Sequence, residues 1–269
     1  MCRINSVGAP LRNWIFRVVL SLAVVAIAAA VLSAPVPVWL RVVALGVSLA
    51  VGVDQAFRRM PAFDPLGRIR WRLPSAAGAP RCALTFDDGP SAATAEVLDI
   101  LAAESVPATF FVLGSNIERH PQIVQRARDE GHAVGIHGMT HATLAGAAVD
   151  AIEQQVAGVT RLLARLGVTA ARVYRTPHGY KSRGVFAVAQ RHGLQLWAWS
   201  RGVWDTDHPE PSLLVRRATR FARPGMVLLL HDGRGAEPQP DVQPMLAALP
   251  AIIRELKQRG FAFVRVGDM

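Results

Sequence analysis

From residue 81 to the C-terminus the chain repeats one pattern, a short apolar run followed by a longer amphipathic stretch, and this pattern limits the fold more than any other feature. The runs are CALTF (82–86), ATFFVLG (108–114), AVGIH (133–137), RVYRTP (172–177), LQLWAWS (194–200), MVLLLH (226–231) and FAFVRV (261–266). All are rich in β-branched or aromatic residues, whereas 93–104, 121–130, 149–166 and 243–259 carry helical spacing. Strands that are apolar throughout and alternate with helices predict a parallel sheet covered by helices, either open or closed. Seven units without a glycine-rich dinucleotide turn favour closure, so the expectation is a distorted (β/α) barrel of about seven parallel strands occupying 81–269.

The sequence before Arg81 is of another kind. Val18 to Ala34 contains no charge, and a second apolar run, Val38 to Val53, is broken only by Arg41. Crossing ~30 Å of hydrocarbon takes roughly 20 residues with a lower limit near 17, so the first run suffices and the second is marginal. Residues 1–59 are therefore expected to form a membrane region of one or two helices, and the Pro- and Gly-containing stretch 60–80 a linker. A signal peptide fits less well, because more apolar sequence follows at once. Half of the net charge of +10 lies in residues 1–60, as six arginines against Asp54. Arginines before the first run and after the second favour a hairpin with both ends cytoplasmic; if only the first run spans, the large domain lies outside. Later arginines are dispersed among acids, which argues against nucleic acid as a partner. Cys2 and Cys82 are too different in context to form a bridge.

Polar residues recur at the ends of the apolar runs: DDGP after the first, HGMTH at the third, RTPHG at the fourth, WDTD after the fifth and HDG at the sixth. In a parallel barrel all of these ends share one face, where active sites are built. His137 and His141 can present two imidazoles to one point, and one carboxylate beside them completes the three-ligand set with an open position that catalytic zinc uses. Asp88 as that ligand leaves Asp87 free as a base on water, and the cation cancels the repulsion between the two acids. Arg175 is able to pair with Asp87 and hold it ionised, and His231 to give a proton to a leaving group. Taken singly, each residue has a plain structural reading: a turn, a surface arginine, the cap of a strand. Taken together, those readings require five coincidences on one rim.

On these motifs, from about Arg81 to Gly267, the chain resembles the polysaccharide deacetylases of carbohydrate esterase family four, which include the rhizobial nodulation chitooligosaccharide deacetylases. TFDDGP is identical to the family's first motif, which implies Asp87 as catalytic base and Asp88 as metal ligand. HGMTH is similar to the second, implying His137 and His141 as the other ligands, with Gly138 where the family usually has a hydroxyl residue that braces the ligand loop. RTPHG resembles the third, with Arg175 on the base, and Pro177 and His178 at the substrate wall, where His178 replaces a common tyrosine. WSRGVWDTD aligns Asp205 with the acid that orients the catalytic histidine, with Thr206 in place of a usual tryptophan and Asp207 as a substitute for Asp205. MVLLLHDG resembles the fifth motif, giving His231 as general acid and Leu229 beside the acetyl pocket.

The resemblance implies a metal-dependent hydrolase that removes N-acetyl groups from an amino-sugar glycan or glycolipid, with a divalent cofactor, expected to be Zn2+ with Co2+ or another divalent ion as alternatives. The partners expected are a carbohydrate or lipid-linked sugar and a membrane, the bacterial plasma (inner) membrane, with the cytoplasmic side favoured for a hairpin. Trp204 is expected at the rim against a sugar ring, and Trp197 and Trp199 in the core. Two other readings stay open: a metal hydrolase of another amide, such as a ureide or a formylated lipid-linked sugar, and a non-catalytic sugar-binding module.

Overall fold

The computed structural model describes residues 37–59, 64 and 66–268. The chain divides into two compact units after Phe57. The described part of the first unit belongs to a helix, α1 (Val38–Arg59). Between Arg41 and Asp54 this helix carries 12 uncharged residues, a length of about 18 Å at 1.5 Å per residue and well short of ~30 Å of hydrocarbon. Among the described residues no helix is long and apolar enough to cross a membrane, which corrects the second of the two expected spans. The first run, 18–34, lies outside the described residues.

The second unit contains one parallel sheet. Its strands are β1 (Ile69–Arg70), β2 (Arg81–Asp87), β3 (Thr109–Leu113), β4 (Ala133–Gly138), β5 (Val173–Tyr174), β6 (Gln195–Trp197), β7 (Arg201–Gly202), β8 (Met226–His231) and β9 (Ala262–Phe263). The order is β1-β6-β5-β4-β3-β2-β8-β7, with β9 paired to the start of β2. The helices are α2 (Ala92–Ala103), α3 (Gly114–Arg119), α4 (Pro121–Asp129), α5 (Val149–Arg165), α6 (Arg183–Arg191), α7 (Pro211–Thr219) and α8 (Gln243–Gln258).

All seven predicted runs contain a strand, and β2, β3, β4 and β8 are buried along nearly their whole length, as two-sided cover by helices and core requires. The closed barrel is not formed. β1 and β7 end the strand order and do not pair with each other, so the sheet is an open, curled half-barrel, and nine strands replace the expected seven. The reason lies in strand length: β1, β5, β7 and β9 are two residues each, too short to carry a continuous ladder around a circle. Part of the stretch expected as a linker belongs to the sheet. Ile69 and Arg70 pair with Leu196 and Trp197, and the buried Leu73 reaches across the opening to donate its N–H to the Gly225 carbonyl at 2.9 Å.

Two apolar layers hold the unit. The larger joins α2, α5 and α8 to the outer face of the sheet through residues such as Val97, Leu98, Val156, Ile252 and Leu256. The smaller fills the inside of the curl with Leu73, Ala83, Phe111, Val173, Trp197, Val227 and Val266. The inner layer closes one end of the curl, while the carboxyl ends of β2, β4 and β8 remain for the polar residues.

Candidate active site

The first motif sits where β2 ends. Asp87 is the last strand residue, and Asp88 turns the chain with φ 74°, a left-handed conformation that aspartate tolerates better than most residues. Adjacent acids therefore point to different partners. Asp87 Oδ1 accepts from Arg175 Nη1 at 2.7 Å, while Asp88 Oδ1 lies 3.3 Å from His137 Nε2 and 3.2 Å from His141 Nε2. The ligand atoms of Asp88, His137 and His141 all fall within 4.8 Å of one another, and the three residues are buried or half-buried.

The fit of this trio to a cation rests on its unmatched lone pairs. His137 Nδ1 lies 2.7 Å from the Arg175 carbonyl oxygen, which only accepts, so Nδ1 carries the proton and Nε2 presents a lone pair when the ring is neutral. That lone pair faces Asp88 Oδ1, a buried oxygen with no hydrogen-bond donor. A divalent ion is what such a convergence of acceptors accommodates. Burial, reinforced by the charges of His137 and His178, pushes His141 down to about 4, which keeps it neutral and able to ligate. Although burial opposes ionisation, His137, His141 and His231 hold the Asp88 carboxyl far below the ordinary carboxylate range.

Arg175 braces this wall from behind. It is buried, donates to Asp87 and to Thr85 Oγ1 at 2.8 Å, and is anchored by the Ala198 carbonyl at 3.0 Å. Its guanidinium stands 4.1 Å from the centre of the Phe111 ring. One arginine thus fixes the carboxylate through its side chain and the His137 ring through its main-chain oxygen.

Across the cleft, His231 ends β8, and Asp205, in a 3-10 turn, clasps it twice. Asp205 Oδ1 is 2.9 Å from His231 Nδ1, and Oδ2 accepts the His231 main-chain N–H at 2.7 Å. Burial lowers the imidazole pKa, but the Asp205 bond and charge, with Asp87 and Asp88, more than offset it and raise the group to about 9. His231 therefore carries a proton at neutral pH, with Nδ1–H held by Asp205 and Nε2–H left for the cleft.

The cleft encloses about 370 Å³ between these two walls, and Asp87, Asp88, His137, His141, His178, Leu229 and His231 line it. His178 adopts φ 59° and sets its ring edge against His141, centroids 4.4 Å apart. Pro177 is buried in the turn beneath, and Asp207 belongs to the 3-10 turn of Asp205 without joining the cleft lining. Trp197 lies in the inner layer, as its spacing suggests, whereas Trp199 and Trp204 are placed otherwise. Trp204 is 62% exposed, lies against Arg217 and is not part of the cleft wall, whereas Trp199 and Thr206 are.

Several supporting contacts escaped the sequence reading. Gly138, with φ 105°, is in a conformation that side chains rarely adopt, and the loop after it is braced from α5, where Gln155 Oε1 accepts the N–H groups of Met139 at 2.8 Å and Thr140 at 3.2 Å. A carboxamide from a helix thus braces the loop whose hydroxyl brace the resemblance implied was lost at Gly138. Asn116 Nδ2 donates to the carbonyls of Asp88 at 2.5 Å and Gly235 at 2.9 Å, and Gly235 N–H donates to Asp88 Oδ2 at 2.8 Å. Asp232 is fully buried, and Thr94 Oγ1 donates to its Oδ2 at 2.6 Å. Of the supporting residues only Asp232 falls in a motif, HDG; Thr94, Asn116, Gln155 and Gly235 lie outside all of them.

Fold and site together define a hydrolase of the open parallel half-barrel type, with a candidate metal centre at the carboxyl ends of its strands. A family model described as polysaccharide deacetylase matches residues 75–197. A peptidoglycan-N-acetylglucosamine deacetylase of Bacillus cereus is 32% identical over 209 residues, covering 77% of this chain and 94% of the relative. A chitooligosaccharide deacetylase of Sinorhizobium fredii is 37% identical over 195 residues, 70% of this chain and 90% of the relative. The solved structure of a peptidoglycan N-acetylglucosamine deacetylase in complex with 4-naphthalen-1-yl-N-oxidanyl-benzamide superposes with a TM-score of 0.70 at 30% identity, covering 77% of this chain and 97% of that one. The chain belongs to the polysaccharide deacetylase family, carbohydrate esterase family four.

Proposed function

We propose that this chain is a metal-dependent deacetylase that removes the N-acetyl group from an N-acetylglucosamine-type residue of a glycan. The observation that carries the reading is Asp88 Oδ1, a buried oxygen with no donor, set against two imidazole nitrogens 3.2 and 3.3 Å away. The names of the Bacillus and Sinorhizobium relatives support the substrate class.

Asp88, His137 and His141 would hold the divalent ion, for which zinc suits the two-imidazole, one-carboxylate donor set, and the ion would supply Lewis acidity toward water and the acetyl carbonyl. Asp87, tied through Oδ1 to Arg175, has Oδ2 free to take a proton from the attacking water. His231 carries the proton that the departing sugar nitrogen needs. As the amide C–N bond breaks, His231 gives up that proton and acetate leaves with the water oxygen, so one water is consumed for each amine released. Leu229 lines the apolar side of the cleft, where the acetyl methyl fits. His178 shapes the opposite wall.

Removing the base or the acid is expected to cost on the order of 10²-fold or more in rate. Asp87→Asn and His231→Ala should therefore release little acetate from N-acetylglucosamine oligomers while retaining the thermal transition of the parent, and near-normal turnover in either would refute the roles given. Dialysis against EDTA should remove one equivalent of metal per chain by elemental analysis and abolish activity, and zinc or cobalt should restore both. We also infer that Val18–Ala34, 17 residues without a charge, anchors the chain in a membrane, supported by its length alone.

A further inference from the structure

Two stretches of the chain are rich in arginine and contain no acid, 65–86 and 211–231. The fold brings them together at the open side of the half-barrel. Arg72, Ser200, Arg201, Phe221, Arg223 and Met226 line a second cavity of about 270 Å³. No acidic side chain borders it, and none of its three guanidinium groups forms an ion pair among the described residues. Arg201 is held in place by its own wall, with Nη2 3.5 Å from the Phe221 carbonyl and the guanidinium 5.6 Å from that ring. Arg220 stands 5.0 Å from the same ring, and Arg72 5.2 Å from the ring of Trp71.

Three arginines border one cavity with no acid among its lining residues, so their like charges repel and an entering anion relieves the arrangement. Guanidinium groups match the oxygens of a phosphate in pairs, so phosphate is the anion this geometry suits best. Phe221, which lines the cavity, is 56% exposed, and Trp71, the ring against Arg72, is 41% exposed. Rings of this kind beside clustered arginines suit the interface of a bilayer, where charge meets the headgroup and the ring enters the acyl boundary. This cavity is separate from the catalytic cleft. Met226 at one end of β8 lines it, His231 at the other end lines the cleft, and five residues of strand span about 16 Å.

We infer that this cavity binds the phosphate of an anionic phospholipid headgroup, and so lays the open side of the half-barrel on a lipid surface. The inference is independent of the deacetylase reading and does not require residues 18–34 to span. Its consequence is that the catalytic cleft, at the far end of β8, takes its glycan from the aqueous side.

The test uses the full-length chain in a neutral detergent, titrated with short-chain phosphatidylglycerol, with phosphatidylcholine of the same chain length, and with inorganic phosphate. Phosphatidylglycerol should bind at least tenfold more tightly than either of the others, and less tightly as salt rises from about 0.05 to about 0.5 M. In the double variant Arg72→Gln, Arg223→Gln its affinity should fall roughly thirtyfold, from two lost surface charges, with acetate release unchanged. The charge-preserving pair Arg72→Lys, Arg223→Lys should recover most of the loss, which separates a charge effect from a folding defect. Equal binding of the two lipids, or an unchanged glutamine pair, would overturn the site. Inorganic phosphate binding as tightly as phosphatidylglycerol would overturn the lipid as its source.

Discussion

The adjacent acids Asp87 and Asp88 are held by different partners, Asp87 by the buried Arg175 and Asp88 by the two imidazoles of the candidate metal trio, whose charges keep its carboxyl ionised. His231 is charged for another reason, the double clasp of Asp205, and this gives a pH prediction with a definite sign. A general acid works only while protonated, so kcat/KM should fall on the alkaline side, through about 9 if the group keeps its raised pKa in the working enzyme. Asp205→Asn removes the charge that raises the pKa, and the alkaline limb of the pH–rate profile should move to lower pH; an unmoved limb would separate Asp205 from the proton transfer. At Gln155 the expected effect is on ligand positioning. Gln155→Ala leaves the Met139 and Thr140 N–H groups without their acceptor and should weaken metal retention by about tenfold or more, measured by competition with a chelator. Gln155→Glu, which keeps an acceptor oxygen, should retain most of it.

At the scale of elements, the turn after β2 and the loop after β8 are built as one piece. Gly89 lies so close to Asp232 that a Cβ at residue 89 would fall 2.1 Å from Asp232 Oδ2, and a Cβ at Gly233 would fall 2.3 Å from the Asp88 carbonyl oxygen. Ser91 caps α2, accepting from Ala93 N–H at 3.1 Å, and donates through the same hydroxyl to the Asp232 carbonyl at 2.5 Å. The start of α2, the turn at Asp88 and the loop after His231 therefore share one network. Gly89→Ala should destabilise the domain by about 1–3 kcal/mol in a urea titration, the range for overpacking a closed site. Asp232 itself is pushed up to about 7 by burial, which the Thr94 bond only partly opposes.

At the scale of the molecule, the half-barrel needs residues that precede its longest strands. Leu73 is buried in the inner layer, and Ile69 and Arg70 form the sheet edge, so a chain that begins at residue 81 exposes both the inner core and the β6 edge. That truncation should melt well below a chain that begins at 64 or aggregate on expression, whereas equal melting temperatures would return 64–80 to the status of a linker. The strands of the fold were legible because two-sided burial writes continuous apolar runs into the sequence. Closure was not, since whether the last strands meet depends on the length and tilt of strands only two residues long, such as β1 and β7. The helices α6 and α7 were also missed, although the equally short α4 was read from its spacing.

The motifs by themselves determined which chemistry was present, because Asp, His and Arg at the ends of apolar runs are specified locally, one strand end at a time. Their joining was decided by the tertiary structure. It set Asp88 Oδ1 between two rings, brought Asp205 to His231 across 26 residues, supplied Gln155 from a helix as the brace of the loop after Gly138, and gathered Arg72, Arg201 and Arg223 around one cavity. Such contacts depend on distances between elements far apart along the chain, and those distances come from how the sheet curls and packs, which no local stretch of sequence encodes.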